Sequence, residues 1–343
     1  MKILVIRFSA MGDVTMASPV IKTLLRDHSS VEVHLLSRPF FEPLFEKGDR
    51  FRFIGADLKS RHKGVMGLRR LYRELRPNQY DVVVDLHDSL RSKVLRTFFR
   101  LAGVPVSKID KGRKEKKRLL KYGALKSKPL IHSTERYARV FQKAGMKWKS
   151  EDWALPEWGV ATDRVKTLLA EKENRTWVGI APFAAHPSKE WPFDKMRELA
   201  MKLRLKGYII LWFGAGKREL EVINQKWLSE EDILLVDQFK LEEELYIMKQ
   251  IEVMVCMDSA NMHMAAVGGT RVVSIWGPTH PHVGFGPLGN EEGMVQIDLS
   301  CRPCSIYGKL KSKSDQHCAR KSMELIQVKY VVDKIDQLLS SPN

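Results

Sequence analysis

The sequence predicts an α/β protein made of two doubly wound units in series. Short apolar runs rich in β-branched residues alternate with amphipathic stretches, which is the pattern of parallel strands joined by crossover helices. The pattern restarts near Thr176, after a join at about 150–175. The length of 343 residues fits two domains, because single domains usually contain roughly 100–200 residues. We therefore expect a first domain at 1–160 and a second at 161–343, whose last helix can pack back on the first.

The elements follow in order along the chain. In the first half, apolar runs predict strands at 2–6, 31–37 and 80–86, and the periodicity over about 14–26 predicts a helix. The second half repeats this alternation, with helices predicted at 193–206 and 217–228 and strands at 177–183, 208–214, 233–237, 253–258 and 272–277. Because parallel strands end at one edge of a sheet and ligands bind beyond that edge, the residues after each strand are the first candidates for chemistry.

The composition is that of a globular protein. Hydrophobic residues make up 44% and charged residues 29% of the chain, which excludes a disordered, collagen-like or disulfide-scaffold protein. No apolar run approaches the roughly 18–20 residues that span a bilayer, and the N-terminal run stops at Arg7, too early for a secretory signal. We therefore expect a cytoplasmic protein.

The positive charge is confined to the first half. Residues 1–150 contain 34 Lys and Arg against 14 Asp and Glu, so the rest of the 58 basic and 41 acidic residues leave the second half close to neutral. This asymmetry indicates an anionic partner for the first half, either a membrane, a phosphorylated substrate or nucleic acid, although a generic basic surface would produce it too. The stretch 108–128 contains ten basic residues against Asp110 and Glu115. It reads as a solvated loop or as a site for anionic lipid headgroups, whereas nucleic acid is disfavoured because Tyr122 is its only aromatic residue.

The four cysteines leave two interpretations open. Cys256 lies in an apolar run and is expected in the core. Cys301, Cys304 and Cys318, with His317 beside the last, could form a zinc site, but the adjacent His-Cys pair is unlike the usual ligand spacing. We expect free thiols in a reducing compartment rather than zinc.

Three groups of polar residues follow predicted strands. Asp13 comes after the first strand, where it could act as a general base or simply cap a helix; the missing G-x-G-x-x-G motif argues against a dinucleotide site there. Lys189 lies after the first strand of the second unit and can hold a phosphate as a point charge, or be an ordinary surface lysine. The segment 258–266 begins a helix, whose free backbone N–H groups form a natural phosphate cradle. His263 would lie one turn into that helix and could equally be a buried structural histidine.

Five segments in order resemble one family, the ADP-heptose–lipopolysaccharide heptosyltransferases of glycosyltransferase family 9. They are ILVIRFSAMGDVTMASPVIKTL (3–24), DLHDSLRS (85–92), HSTERYARVF (132–141), HPSKEWP (186–192) and MDSANMHMAAVGGTRVVSIWGPTHP (257–281). The resemblance implies a GT-B fold, in which two Rossmann-like domains face a cleft. It implies an inverting glycosyltransferase that moves a heptose from an ADP-sugar to the inner core of lipopolysaccharide. The implied acceptor, a phosphorylated Kdo–lipid A glycolipid, fits the basic first half and a peripheral location at the inner face of the inner membrane.

The resemblance also implies roles for particular residues. Asp13 corresponds to the proposed general base, and Lys189 corresponds to a lysine on the donor diphosphate. The other donor-binding positions it implies are Glu219, Phe239, Asp258, Ser259, Ala260, Asn261 and His263. The acceptor-binding positions it implies are Arg61, Lys63, His132 and Arg136. Because no Asp-x-Asp motif follows a strand and Lys189 can offset the diphosphate charge, we expect no required metal and no cofactor.

Several positions depart from the family pattern. Ala260 stands where the family usually has Gly, and would be disfavoured there if that position needed a positive φ. His87 and Asp88 replace the more usual Gln-Gly, which bears on the identity of the acceptor. Three alternatives therefore remain: a GT-B transferase using another nucleotide-sugar or core acceptor, a nucleotide-sugar epimerase, and, more remotely, a nucleic-acid-binding protein.

Overall fold

The computed structural model describes residues 1–148, 152–172, 174–224 and 228–340, and these residues form two parallel sheets flanked by helices. The strands of the first sheet are β1 (Lys2–Ile6), β2 (Glu32–Ser37), β3 (Phe51–Gly55), β4 (Val82–Asp85) and β5 (Val106–Lys108). Those of the second sheet are β6 (Trp177–Ala181), β7 (Ile209–Trp212), β8 (Ile233–Leu234), β9 (Val253–Met257), β10 (Arg271–Trp276) and β11 (Met294–Gln296).

Helices connect these strands on both faces. The α-helices are α1 (Met11–Thr15), α2 (Ala17–Asp27), α3 (Gly64–Leu75), α4 (Leu90–Leu101), α5 (Arg113–Tyr122), α6 (Ser133–Lys143), α7 (Asp163–Ala170), α8 (Phe193–Arg204), α9 (Lys217–Asn224), α10 (Leu241–Met248), α11 (Ala260–Val267), α12 (Lys313–Leu325) and α13 (Val328–Ser340). Short 3-10 turns lie at Pro39–Leu44, Arg76–Asn78, Ala124–Lys126, Pro187–Lys189, Pro281–Val283 and Glu291–Gly293.

The first sheet has the strand order β3-β2-β1-β4-β5. Ile6, at the end of β1, lies beside Leu36 on one side and Asp85 on the other. The central strand is apolar and buried from Ile3 to Ile6, because helices cover both faces of a parallel sheet. The order reverses between β1 and β4, so the chain leaves these two strands in opposite directions across the sheet. Ligands of doubly wound folds bind beyond the carboxyl ends of the strands at such a switch point.

The second sheet has the order β11-β10-β9-β6-β7-β8, and its switch point lies between β6 and β9. Trp177, Trp212 and Trp276 are among its largest fully buried side chains. The last helix, α13, buries Val331 and Ile335 in the same core. It therefore packs on the sheet of the second half of the chain. Predicted helix 217–228 is formed from Lys217 to Asn224, and the prediction for 225–227 lies outside the described residues.

The chain divides into two compact units that are not continuous in sequence. The first contains 1–111 and 132–158, and the second contains 112–131 and 159–343. This division differs from the predicted domains at 112–131, a segment that packs with the second unit. Leu119 and Ala124 are buried there against Val283 and Ile306. The basic stretch 108–128, for which a solvated loop is one of the interpretations, is instead helical over Arg113–Tyr122, because one apolar side of the helix has a core to pack on.

The doubly wound α/β fold class is confirmed, and the differences in its elements lie at the sheet edges. Strands β3, β5 and β11 were not predicted. Each is an edge strand, and Phe51–Gly55 carries the exposed Arg52. The apolar run 233–237 forms a strand only over Ile233–Leu234. Within the described ranges, no helix combines the length and apolar character needed to cross a membrane.

The expectation of free thiols is wrong for two of the cysteines. Cys301 and Cys318 form a disulfide, whereas Cys256 and Cys304 are free. Helix α12 brings Cys318 beside the 301–304 turn, which spacing along the chain could not show. The sulfur atoms of Cys301, Cys304 and Cys318 all lie within 4.8 Å of one another. Cys256 is fully buried, as predicted.

Candidate active site

Asp13 lies in the first unit, just beyond the carboxyl end of β1 and in the first turn of α1. One carboxylate oxygen, Oδ2, accepts a hydrogen bond from the backbone N–H of Ala10 at 3.3 Å. The same oxygen lies 2.6 Å from Nη2 of Arg7. The carboxylate therefore caps its helix and is also ion-paired, and 41% of its side chain remains accessible to solvent. A general base needs this combination of fixed position and access.

Arg7 is the residue that sequence reasoning missed at this site. Its side chain is only 6% exposed, and its Nη1 donates to the carbonyl of Leu86 at 2.5 Å. The guanidinium also lies over the ring of Tyr137, 5.6 Å from the centroid. Burial acts to lower the pKa of Arg7, but Tyr137 and Asp13 outweigh it and raise that pKa above its ordinary value. Arg7 thus remains a fixed positive charge beside Asp13.

A buried ion-pair cluster shapes the turn after β4, on the other side of the first switch point. Asp85 is fully buried and accepts from the backbone N–H of His87 at 2.9 Å and of Asp88 at 2.8 Å. Arg96 on α4 donates to Asp85 at 2.6 Å and to Asp88 at 3.0 Å. Asp88 has a φ of 46°, a conformation that its hydrogen-bonded side chain helps to hold. The His-Asp departure from the family pattern is therefore built into a rigid turn.

His87 faces the β1–α1 loop from this turn. The backbone N–H of Phe8 donates to its Nδ1 at 3.3 Å, and Nε2 lies 3.5 Å from the hydroxyl of Ser9. Burial, followed by the charges of Arg7 and Lys111, lowers the pKa of His87 to about 4. The imidazole is consequently neutral at physiological pH and offers a polar group beside Asp13.

The four predicted acceptor residues occupy different surroundings in the first unit. Arg61 is exposed and donates to Glu74 at 2.7 Å, and Lys63 is an exposed residue at the start of α3. His132 caps α6, where its Nδ1 accepts from the N–H of Thr134 at 3.3 Å. Arg136 is buried and donates to the carbonyl of Asp110 at 3.3 Å. Of the four, Arg61 and Lys63 are exposed, and Arg61 is ion-paired with Glu74.

Lys189 and Asp258 meet at the switch point of the second sheet, since they follow β6 and β9. Nζ of Lys189 donates to the carbonyl of Asp258 at 2.5 Å and lies 3.2 Å from its Oδ2. Both residues are buried. The aliphatic part of Lys189 packs on Gly308, where a Cβ would come within 2.9 Å of it. The interpretation of Lys189 as an ordinary surface lysine is therefore wrong.

Helix α11 begins two residues after Asp258, and its first turn contains the other predicted diphosphate-binding residues. Ser259 is its N-cap residue, and the Oγ atom is buried without a hydrogen-bond partner among the described residues. Ala260 begins the helix; outside glycine, positive φ among the described residues occurs at Gln79, Asp88 and Asp237. Ala260 is therefore accommodated without strain. Asn261 is half-buried, and His263 is buried one turn into the helix. An orphaned hydroxyl beside free N–H groups suits an anionic ligand.

The remaining predicted donor residues come after β7 and β8, with Glu219 in the first turn of α9 and Phe239 between β8 and α10. Oε2 of Glu219 accepts from the N–H of Ala215 at 2.8 Å, and burial raises the pKa of this carboxyl. Phe239 is half-buried, with the guanidinium of Arg164 4.3 Å from its ring centroid. Glu244, which the sequence did not single out, is nearby in chain order, and burial together with Asp237 raises its pKa to about 8.

Comparison with known proteins gives a consistent result. The model of glycosyltransferase family 9 (heptosyltransferase) matches residues 68–314. Lipopolysaccharide heptosyltransferase 2 of Salmonella typhimurium is 24% identical over 364 aligned residues, which cover 99% of each chain. The structure of a family 9 glycosyl transferase from Veillonella parvula has a TM-score of 0.77 at 18% identity, covering 98% of this chain and 97% of that one. That of E. coli ADP-heptose lps heptosyltransferase II has a TM-score of 0.69 at 22% identity, covering 99% and 98%.

The two Rossmann-like units, each with polar groups at its switch point, have the GT-B fold. The chain belongs to glycosyltransferase family 9, the heptosyltransferases. The resemblance of the five sequence segments, and the fold and enzyme class that it implied, are thereby confirmed.

Proposed function

We propose that the protein transfers a heptose from ADP-heptose to the inner core of lipopolysaccharide, on a Kdo-bearing lipid A acceptor, with inversion at the anomeric carbon. The observation that carries the proposal is the length of the similarity. The Salmonella typhimurium lipopolysaccharide heptosyltransferase 2 aligns with 99% of this chain, so both sheets and both switch points have counterparts in one relative.

Asp13 is the general base of the proposed reaction. Its carboxylate takes the proton from an acceptor hydroxyl while that oxygen forms a bond to the anomeric carbon of the heptose. The bond from that carbon to the ADP oxygen breaks on the opposite face, which inverts the configuration. The ion pair with Arg7, 2.6 Å long, supports this role because it holds the carboxylate in one position while 41% of the side chain stays accessible.

Lys189 and the start of α11 bind the donor diphosphate. The ammonium group offsets the charge that develops on departing ADP, and the free N–H groups of the helix with the Ser259 hydroxyl supply hydrogen bonds. Asp258 holds Lys189 in place, and Asn261 and His263 complete this side of the site. Since fixed groups supply the positive potential, the reaction needs no metal ion or cofactor.

The other predicted residues bind the nucleoside of the donor and the phosphorylated acceptor. Glu219 and Phe239, which come after neighbouring strands, bind the ribose and the adenosine of the donor. Arg61, Lys63, His132 and Arg136 bind the phosphorylated acceptor, and the exposed side chains of Arg61 and Lys63 are the ones its phosphates reach first.

The protein works at the cytoplasmic face of the inner membrane, as a peripheral protein on an anionic surface. The excess of basic over acidic residues in 1–150 supports this placement. Nucleic acid is not a partner, because the basic residues of α5 lack the interleaved aromatic residues that stack on bases.

A second candidate is a family 9 transferase with another nucleotide-sugar or another core acceptor. The His87–Asp88 turn favours it, because these side chains alter the polar surface beside Asp13. The two candidates share the mechanism and differ in their substrates.

Calorimetric titration of the purified protein with ADP, GDP, UDP and CMP, with and without EDTA, tests the donor. We expect selective binding of ADP that EDTA does not change, followed by ADP release from ADP-heptose when the acceptor is added. Preference for GDP or UDP would replace the donor but keep the enzyme class. Tight, salt-sensitive binding of arbitrary duplex DNA without nucleotide binding would overturn the proposal.

A further inference from the structure

Large apolar side chains are exposed at the carboxyl edge of the first sheet. Phe40 is 62% exposed, Val65 61%, Met66 70% and Leu90 82%. The residues belong to the segments that follow β2, β3 and β4. We call the surface formed by these four residues the docking edge.

Contacts between the segments place the four residues along one edge. Phe40 lies in the 3-10 turn after β2, and the preceding Pro39 packs on Gly55 at the end of β3, where a Cβ would come within 2.9 Å of it. Val65 and Met66 are in the first turn of α3, and Leu90 is the first residue of α4. The two helices pack side by side, with Tyr72 5.0 Å from Phe99 between ring centroids. Both begin at the carboxyl edge because both follow parallel strands.

None of these side chains is needed by the core. Helix α3 buries Gly67, Leu68, Leu71 and Leu75, and Gly67 lies so close to His62 that a Cβ would meet its backbone carbon at 2.4 Å. Val65 and Met66 project from the remaining surface of the helix. On α4 the buried residues are Ser92, Leu95, Arg96 and Phe99, which excludes Leu90. The exposure of the docking edge is thus not explained by packing.

The surroundings of the docking edge are strongly basic. Segments 38–42, 56–70 and 87–93 contain eight Lys and Arg residues and three acids, Glu42, Asp57 and Asp88. Two of the acids are engaged locally: Asp57 accepts from the hydroxyl of Ser60 at 2.6 Å, and Asp88 is paired with Arg96. A soluble polyanion would use the charges but not four exposed apolar side chains. Apolar residues among Lys and Arg are the combination that binds an anionic bilayer surface.

We propose that the docking edge inserts into the interfacial region of an anionic phospholipid bilayer while the neighbouring Lys and Arg residues bind the headgroups. The inference rests on the proposed function for the setting in which the enzyme meets a membrane. Asp13 follows β1 at the same edge of the same sheet, so docking brings the base to the surface in which a lipid-linked acceptor is held.

Helix α4 supplies a matched pair of variants. Leu90 and Leu101 are 82% and 81% exposed, and they are the first and last residues of the same helix. We expect Leu90→Ser, and the double variant V65S/M66S, to lower the affinity of the full-length protein for vesicles of phosphatidylethanolamine and phosphatidylglycerol by about tenfold, a loss of roughly 1.4 kcal/mol. Leu101→Ser should bind like the unmodified protein. Co-sedimentation measures the affinity, and melting temperatures verify folding.

Three results would overturn the docking-edge proposal. The first is an equal loss of vesicle affinity in Leu90→Ser and Leu101→Ser, and the second is no loss in either Leu90→Ser or V65S/M66S. The third is a loss in K117E/K121E, which reverses two exposed charges of α5, while Leu90→Ser binds normally, because docking would then use α5.

Turnover separates this inference from the proposed function. With a deacylated, water-soluble acceptor, Leu90→Ser should react at the unmodified rate, and with the acceptor in vesicles its rate should fall about tenfold with the affinity. If the unmodified protein uses neither acceptor, the proposed function fails, while the vesicle measurements still decide the docking edge.

Discussion

Arg7 clamps Asp13: its Nη2 lies 2.6 Å from Oδ2 of the carboxylate, while its Nη1 is fixed on the carbonyl of Leu86. Tyr137, whose ring lies beneath the Arg7 guanidinium, also contacts Asp13. The Tyr137 hydroxyl donates to the backbone carbonyl of Asp13 at 3.2 Å. The position of the proposed base is therefore set by residues from three separate parts of the first unit.

Replacing Arg7 should reduce turnover without affecting donor binding. In Arg7→Gln the carboxylate of Asp13 loses its anchor, and displacement of a reacting group can cost up to about 10²-fold in rate. We expect a fall of roughly 10–100-fold in kcat and an unchanged affinity for ADP, with partial recovery in Arg7→Lys. Tyr137→Phe, which keeps the ring, serves as the milder control. Full turnover in Arg7→Gln would show that the clamp has no catalytic role.

Asp13→Asn tests the base itself. General-base assistance is worth about 10²–10⁴-fold, so kcat should fall by that amount while calorimetry shows normal ADP binding. Asp27→Asn, at the far end of α2, should retain full turnover. If Asp13→Asn turns over at a comparable rate, another residue is the base.

Lys189→Ala should weaken ADP binding. A charged hydrogen bond contributes about 1.5–3 kcal/mol, which corresponds to roughly a tenfold to hundredfold rise in Kd. Lys195 is a suitable control, because its ammonium also donates to a backbone carbonyl, that of Ile326 at 2.7 Å, but it lies on α8. Lys195→Ala should lower the melting temperature and leave the ADP affinity intact. Equal ADP affinities in both variants would remove Lys189 from the donor site.

His87 should make stability depend on pH in the acid range. Its folded pKa of about 4 is below the ordinary 6.5, so the unfolded chain binds more protons between these values. The contribution of His87 is therefore present above pH 6.5 and is lost as the pH falls towards 4, by on the order of 3 kcal/mol. Urea unfolding over this range should show a shallower decline for His87→Gln. His280, whose pKa burial lowers to about 3, remains in both proteins and gives a common background. If the unfolding free energies of the two proteins change with pH in parallel, His87 is protonated as readily in the folded state as in the unfolded chain.

The disulfide can be tested by counting free thiols. Under denaturing, non-reducing conditions two thiols should react with Ellman's reagent, those of Cys256 and Cys304, and after reduction four. Because the disulfide closes a loop over a sequence separation of 17, C301S/C318S should lose on the order of 3 kcal/mol of unfolding free energy, whereas Cys304→Ser should lose little. Four reactive thiols before reduction would mean that the bond is absent.

Sequence patterns revealed the centre of each sheet better than its edges. Apart from Lys2 at the start of β1, the runs that form β1, β6 and β9 are apolar because both faces are covered. Their carboxyl ends, and with them Asp13, Lys189 and Asp258, could therefore be located from the sequence. Phe51–Gly55 could not, because an edge strand keeps an exposed charge such as Arg52. Helix α5 was not predicted for a related reason. Its many basic residues obscure the few apolar residues through which it packs on the second unit.

The long-range contacts that hold the site together could not be predicted from local sequence patterns. Tyr137 contacts Asp13 across a separation of 124 residues, and nothing in the local sequence of either predicts the meeting. Arg7 looked like the end of a strand. The high pKa of Glu244 arises from burial and from Asp237, and both depend on how the end of β8 turns.

The placement of 112–131 has a consequence for biosynthesis. A ribosome completes α5 long before it makes Val283 and Ile306, the residues against which Leu119 and Ala124 are buried. During that interval the insertion, which follows the last strand of the first sheet, has no core to pack on, and its exposed leucines are candidates for chaperone binding. Division of the gene at the 158/159 boundary would leave the first fragment with 112–131 unpacked and the second without part of its core, so co-expression of the two halves is a more suitable route to either than separate expression.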